Sequence, residues 1–152
     1  FYLPSQAARS TDTRLVGATP EGTFTIPSTA SRAVRVGAYD ARYDSYADFS
    51  GRGLNGNYPD LVAPGVDIRV PIEGESDRIV SGTSFATPFV TGSAALLMEW
   101  GIIGRRDPFL YGEKIKAYLQ SGARPIRGER EYPNPKVGYG ALCLEESLPI
   151  YI

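Results

Sequence analysis

The segment on which the fold of this chain depends is SGTSFATPFVTGSAALLMEWG, residues 81–101 of 152. It follows the β-branched pair Ile79 and Val80, which predicts an extended approach. From Ser84 to Trp100 the residues are mostly apolar, and Gly101 suits the position just after a helix, so we predict a long helix that ends there. Because this helix is apolar on nearly all sides, we expect it to be buried in the core.

Short extended segments precede this helix. Alternating or β-branched patterns, bounded by Pro and Gly, predict strands at residues 23–26, 33–39, 60–63, 66–70 and 79–80. The polar, turn-rich residues 1–22 predict an irregular entry segment. We expect residues 23–152 to form a single structural unit.

Two further helices are predicted after the long one. Asp107 and Pro108 are typical of an N-cap followed by proline in the first helical position, and that helix should end at Gly122. A shorter helix is expected from Ala141 to about Ser147. Strands followed by helices, with one helix buried, predict a layered α/β architecture.

The composition excludes several kinds of site. The chain has no histidine and one cysteine, Cys143, with 16 Lys and Arg against 17 Asp and Glu. Without histidine, it contains no complete Ser-His-Asp or Cys-His site and no His-ligated metal. A formal net charge of −1 argues against nucleic-acid binding. We also expect no membrane span, because no run of eighteen apolar residues occurs.

One glycine motif resembles a dinucleotide-binding fingerprint. Residues 51–56, Gly-Arg-Gly-Leu-Asn-Gly, match the G-x-G-x-x-G pattern. That pattern binds pyrophosphate only between the end of a strand and the start of a helix. Here the predicted strand ends well before Gly51, and Pro59 follows too closely for a helix to begin. We therefore predict a glycine-rich surface loop.

Ser84 is the candidate nucleophile. A serine on the first helical turn is rigidly held, and its own N–H, an unsatisfied donor at the helix start, can stabilise an oxyanion. Alternatively, Thr83 and Ser84 simply cap the helix, which is the commoner role of such residues. The local pattern alone leaves both roles open.

Four segments in order resemble the subtilisin-like serine proteases (subtilases). The run SGTSFATPFVTGSAALL is similar to the nucleophile segment of that family, and the other three are AVRVGA before FSGRG, PDLVAPGVDI, and VGYGAL at residues 137–142. The resemblance implies the three-layer α/β fold of subtilisin with a mainly parallel sheet, of which this chain would be the C-terminal part. A narrower resemblance, carried by IPSTASRAVRVGAYD, LLMEWGI, DPFLYGEKIKAYLQSGAR and YPNPKVGYGALCL, is to the Csp-type subtilases of spore-forming bacteria.

The resemblance also implies a chemistry. Ser84 would attack the scissile carbonyl of a protein or peptide and form an acyl-enzyme, with its own backbone amide as oxyanion donor. The Asp and His of the family precede the Ser in chain order, so we expect them upstream of Phe1, in an N-terminal remainder of the same domain. This chain alone would then be inactive. If the absent residues are themselves lost, the protein would instead be a pseudoprotease or regulatory binding protein.

Cofactors and location are less constrained. Many subtilases use calcium, and the acidic loop containing Glu73, Glu75 and Asp77 lies just before the nucleophile. Its spacing matches no defined calcium loop, so we expect a solvated surface, no metal and no cofactor. The family resemblance implies a secreted or spore-associated protein, although the residues leave the compartment open.

Overall fold

Two short parallel strands form the centre of the fold. The computed structural model describes residue 17 and residues 19–148. Strand β1 (Val36–Asp40) pairs in parallel with β3 (Leu61–Pro64), and β2 (Ser45–Tyr46) pairs antiparallel with β1, so the sheet order is β2-β1-β3. A separate antiparallel hairpin consists of β4 (Ile68–Val70) and β5 (Arg78–Val80).

Helices follow the strands, as the sequence predicts. They are α1 (Thr83–Met98), continued by a π-helical turn at Glu99–Ile103, then α2 (Glu113–Ser121) and the single-turn α3 (Leu144–Ser147). The loop at residues 51–56 forms no nucleotide-binding turn, because no helix follows it. The prediction of a glycine-rich loop there is confirmed.

The core lies on both faces of the sheet because successive side chains of a strand point in opposite directions. On one face, Leu61 and Ala63 pack with the buried residues of α1 and α2, among them Val90 and Leu119. On the other face, Val62 belongs to a second cluster, with Tyr39, Ile126, Val137 and Ala141. The layered α/β fold that the sequence predicts therefore rests on two adjacent strands that contribute buried side chains to both faces of the sheet.

The burial of α1 differs from the prediction. Within the described residues, only Ala86, Val90, Ser93 and Leu97 of this helix are buried. These residues recur every three or four positions and form a single face. The expectation that α1 is buried on nearly all sides is wrong for the described part of the chain, because β1, β3 and α2 supply packing on one side only.

The ends of other elements also differ from the predictions. No strand forms at residues 23–26, where Thr23 makes one backbone bond to Arg52 and no ladder develops. Helix α2 begins at Glu113 rather than near Asp107, because the Asp107 carboxylate and carbonyl close a separate turn by accepting the N–H groups of Phe109 and Leu110.

The end of the long helix and the start of α3 also differ from the predictions. Gly101 does not terminate the helix but lies buried inside the π-helical turn, where a Cβ would come 2.7 Å from the Leu110 side chain. Helix α3 begins at Leu144 rather than Ala141, because Ala141 pairs with Arg124 and Val62 as an extended residue.

One helical stretch meets a length-and-composition test for a membrane span. Thr83–Ile103 has 21 residues, and 18 consecutive residues within it have a mean hydropathy of 1.2. Core helices of globular proteins can have the same length and composition. In this structure α1 packs against β1 and β3.

Acid rather than neutral pH should destabilise the fold. Hydrogen bonds from Arg42 to Asp40 and from Lys114 to Asp107 lower the pKa of each carboxyl group. For Asp44, burial raises the pKa, but hydrogen bonds from Arg124 and Arg127 outweigh it, and the pKa is lowered. In the unfolded chain the pKa of an Asp carboxyl is about 3.9. A carboxyl group whose pKa is lower in the folded state stabilises the fold at pH values above that unfolded pKa, and this stability is lost as the pH falls through the folded pKa.

We therefore expect the urea concentration at the midpoint of unfolding to be constant between about pH 5 and pH 8, where histidine would ordinarily titrate. At pH values below about 4 we expect this concentration to decrease. The chain has no histidine. Urea unfolding of this chain, followed by circular dichroism at each pH, measures the midpoint. A midpoint that changes markedly between pH 6 and pH 8 would contradict the expectation.

Candidate active site

The turn that carries Ser84 is fixed by glycine. Gly82 has φ 157° and ψ 157°, a conformation that is essentially restricted to glycine. Its N–H donates to the carbonyl of Gly65 at 2.8 Å, and its own carbonyl accepts the N–H of Phe85 at 3.0 Å. The chain is thereby held in one path from β5 into α1.

Ser84 is the second residue of α1, and it is exposed. Gly82 is the N-cap, and no side chain caps the helix. The alternative in which Thr83 and Ser84 serve as caps is therefore not realised. Among the described residues, no hydrogen bond involves the Ser84 hydroxyl, so it has no structural partner that it would have to leave in order to react.

Side chains stabilise the first turns of α1. The Thr87 hydroxyl donates to the carbonyl of Thr83 at 3.0 Å, and the Thr91 hydroxyl donates to the carbonyl of Thr87 at 3.1 Å. Pro88 has no N–H, so the carbonyl of Ser84, four residues earlier, lacks its helical donor. The start of the helix is thus held through Thr83, next to the candidate nucleophile.

Gly65 is the point at which three elements meet. A Cβ at this position would lie 2.6 Å from the Cβ of Ala38 in β1, 3.0 Å from the carbonyl oxygen of Gly82 and 3.4 Å from the Cβ of Ala86 in α1. The close approach of β1, the Ser84 turn and α1 therefore requires glycine here.

A polar network joins the same turn to the end of β1. Asp67 donates its N–H to Ser81 Oγ at 2.9 Å. Its carboxylate pairs with Arg42 at 2.7 Å, and Arg42 also contacts Asp40 at 3.3 Å. Arg42 and Asp67 are exposed, so the ion pair between them contributes little to stability, whereas Asp40 is buried. Their effect is to connect Ser81 to the sheet through side chains as well as backbone.

We predict that Gly65→Ala destabilises the fold by about 1–3 kcal/mol through overpacking. Gly92→Ala is the matched control, since a Cβ there has no neighbour within 4 Å and the helix gains from alanine. Chemical denaturation of both variants measures the difference. Equal stability of the two variants would contradict the contact described for Gly65.

A cavity of about 270 Å³ lies next to the Ser84 turn. Thr83 forms part of its wall, together with residues from the loops before β1 and after β2. These are Thr23, Phe24, Thr25, Ser28, Phe49 and Gly51. Sequence reasoning missed this cavity, because residues 23–28 and 49–51 are far apart in the sequence and neither segment indicates by itself that the two lie together.

A buried carboxylate, that of Asp60, lies just before β3. Asp60 is 3% exposed and accepts hydrogen bonds from the Arg35 N–H at 2.7 Å and from Gln120 at 2.9 Å. Lys116 Nζ lies 2.9 Å from the same carboxylate. These partners satisfy both of its oxygens, so Asp60 has a structural role.

Two side chains of the acidic loop are held by arginines in the described part of the chain. No group of three or more His, Cys, Asp or Glu side chains converges there. Glu75 pairs with Arg78 at 2.8 Å, and Asp77 lies 3.9 Å from Arg69. The expectation that this loop is a solvated surface without a metal stays a prediction.

Comparison with protein families identifies the motif around Ser84. The model of the Subtilase family matches residues 11–140. The chain belongs to the subtilase family. The predicted subtilisin-like α/β fold is confirmed by this match and by structural similarity to solved subtilases.

Solved structures and curated proteins agree with this family. This subtilase chain is similar to the Clostridium perfringens CspB protease, with 48% identity, a TM-score of 0.77, and coverage of 84% of this chain and 28% of that one. The Csp-type resemblance predicted from sequence is thereby confirmed. Serine protease AprX of Bacillus subtilis is 31% identical over 151 residues, which is 84% of this chain and 32% of AprX.

A third relative shows the same partial coverage. The thermophilic serine proteinase of Bacillus sp. strain AK1 is 45% identical over 75 residues, covering 49% of this chain and 18% of that protein. The chain therefore spans less than a third of the length of each of these relatives.

Proposed function

We propose that this chain provides the nucleophile of a serine endopeptidase, and that Ser84 attacks the scissile carbonyl of a protein or peptide substrate. The observation that carries the proposal is the exposed Ser84 hydroxyl on the uncapped first turn of α1, within a family motif. Attack would form an acyl-enzyme on Ser84 Oγ, release the amine half of the substrate, and end when water hydrolyses the ester.

The start of α1 would stabilise the transition state. The first N–H groups of a helix have no intrahelical acceptor, and no side chain caps them here. The backbone N–H of Ser84 is therefore available to an oxyanion that develops beside Ser84 Oγ, where the positive end of the helix dipole also favours negative charge.

The general base must come from outside this chain. A serine hydroxyl is a weak nucleophile unless an adjacent base accepts its proton, and the sequence contains no histidine. Since the chain covers only 28% of the CspB protease chain, we assign the base and the residue that orients it to an N-terminal remainder of the same protease domain. The cavity of about 270 Å³ beside Thr83 would receive a substrate side chain.

We predict that this chain alone neither hydrolyses peptides nor reacts with a fluorophosphonate probe, because no base activates Ser84. Intact-mass analysis after incubation with the probe measures the reaction. Stoichiometric labelling of the isolated chain at Ser84 would contradict the prediction. The complete protein is the positive control. A complete protein that is folded but does not react would be a pseudoprotease, the alternative that the family resemblance allows.

A further inference from the structure

A second cavity, of about 240 Å³, lies where the starts of the two central strands meet α2. Arg35 directly precedes β1, Asp60 directly precedes β3, and the Asp60 N–H donates to the Arg35 carbonyl at 2.8 Å. Lys116 and Gln120 are four residues apart in α2 and therefore share one face of that helix. The residues with polar side chains that line the cavity are Arg35, Tyr58, Asp60, Lys116, Gln120 and Tyr139.

The charged groups of this cavity do not balance. Arg35 and Lys116 are two cations, and their side chains are only 16% and 15% exposed. Among the described residues, Asp60 is the single carboxylate that lies within 4 Å of either cation. One positive charge is therefore left without a partner. Because an unpaired charge is costly in a largely buried position, a second anion would be favoured there.

Asp60 leaves part of the Arg35 side chain unused. Its carboxylate accepts hydrogen bonds from the Arg35 N–H and from Gln120, and Lys116 Nζ lies 2.9 Å away. Arg35 Nε lies 3.6 Å from this carboxylate and is a buried donor without a hydrogen-bond partner in the described part of the chain. Arg35 Nη1 donates to Asn57, whereas Nη2 makes no hydrogen bond to a described residue. The guanidinium therefore has donors that a further acceptor would satisfy.

The walls of the cavity suit a carboxylate that is carried on a small carbon skeleton. A guanidinium binds a carboxylate through two parallel hydrogen bonds, and the Lys116 ammonium supplies a further donor. Pockets for drug-sized ligands are about 300–1,000 Å³, so this cavity suits a smaller molecule. Rings form the apolar part of the wall, those of Tyr58, Pro59, Pro133 and Tyr139.

We propose that this cavity binds a small carboxylate from solution, and that Arg35 and Lys116 hold its charged group. Binding would compensate the unpaired positive charge and connect the start of β1 to α2, so it would stabilise the folded protein. The site is separate from the cavity beside Thr83, although Arg35 lines both. It does not involve Ser84, so this proposal and the proposed function can fail independently.

Titration calorimetry of the complete protein tests the site with matched pairs of ligands. Acetate, glutarate and benzoate present a carboxylate on three different skeletons, and acetamide, glutaramide and benzamide are their uncharged counterparts. We expect at least one carboxylate to bind, and its amide to bind at least about tenfold more weakly, because hydrogen bonds between charged groups are the stronger ones. Inorganic phosphate at the same ionic strength is the control for a general attraction of anions.

Two variants that each remove one positive charge assign the binding to the cavity. Lys116→Met keeps an apolar stem of similar length, and we expect it to weaken carboxylate binding at least about tenfold. Arg130→Met removes an exposed cation outside the cavity and should bind as tightly as the unmodified protein. If Lys116→Met does not fold, Tyr139→Ala replaces it, because the Tyr139 side chain is 42% exposed and lines the cavity. The loss of this aromatic wall should weaken binding at least about threefold.

Four results would overturn the proposal. The first is that no carboxylate binds to the complete protein, as expected if an acidic side chain of that protein already fills the cavity. The second is equal affinity for a carboxylate and its amide, which would exclude recognition of the charge. The third is phosphate binding as tight as carboxylate binding, which would indicate unspecific attraction. The fourth is equal affinity of Lys116→Met, or of Tyr139→Ala in its place, and Arg130→Met, which would place the ligand outside the cavity.

Discussion

Replacing Ser84 by alanine in the complete protein should lower kcat/KM for peptide hydrolysis by several powers of ten, because the loss of one member of a catalytic triad has an effect of that size. The fold should be unaffected. The Ser84 side chain is exposed and makes no hydrogen bond within the described residues, and alanine favours a helix more than serine does. Peptidase kinetics and the thermal midpoint of the same preparations measure the two effects separately.

Ser81→Ala is the matched control for this variant. Ser81 lies on the same turn, but its hydroxyl accepts the N–H of Asp67 at 2.9 Å, so it serves the structure of the turn. We expect a small loss of activity, about tenfold or less, from a slight displacement of Ser84. If Ser84→Ala retained activity comparable to that of Ser81→Ala, Ser84 would not be the nucleophile.

The largest effect on stability is expected for Gly138→Ala. Gly138 has φ 56°, and a Cβ on it would come 2.0 Å from the carbonyl oxygen of Pro59 and 2.7 Å from its carbonyl carbon. These are backbone atoms at the entry to β3, so no side-chain rotation can relieve the contact. We predict a loss of more than about 3 kcal/mol, the sum of overpacking and left-handed strain, measured by chemical denaturation.

Gly56→Ala separates the two causes. Gly56 also has a positive φ, 80°, but a Cβ there meets nothing within 4 Å. Its substitution should cost about 1–2 kcal/mol, the expense of the left-handed conformation alone. Equal losses for Gly56→Ala and Gly138→Ala would show that the segment before β3 moves aside and that the close approach at Gly138 does not limit stability.

Those parts of the fold that depend on local pattern could be predicted. Strand β3 and the first four residues of β1 are apolar or aromatic runs, as expected where both faces of a sheet are covered, and such runs are recognisable in a sequence. The turn from β5 into α1 was recognisable because Gly82 and Ser84 stand in a specific motif. Each of these features is encoded within a few consecutive residues.

The predictions were wrong where the same sequence pattern is compatible with two different structures. An acidic residue before a proline suits a helix start, but Asp107 caps a separate turn instead. The apolar composition of α1 predicts burial on all sides, whereas burial depends on which elements are present to cover the helix. The composition of a helix shows that it is apolar, but it does not show which element covers each side of it.

The contacts that position the Ser84 turn could not be predicted, because they join residues that are far apart in the sequence. A Cβ on Gly65 would come too close to Ala38 and to the Gly82 carbonyl, both of which are distant from it in the sequence. Asp67 meets Ser81 only because the β4–β5 hairpin brings the two residues together. Neither pair has a local signature, so a single sequence offers no means of finding it.

We propose that Ser84 is a nucleophile whose base comes from the remainder of the protease domain. The most direct test is peptide mass spectrometry of the complete protein after reaction with a fluorophosphonate. We predict a single adduct on Ser84 and no adduct when this chain is treated alone. An active complete protein whose adduct lies on another residue, or an adduct on Ser84 in the isolated chain, would contradict the claim.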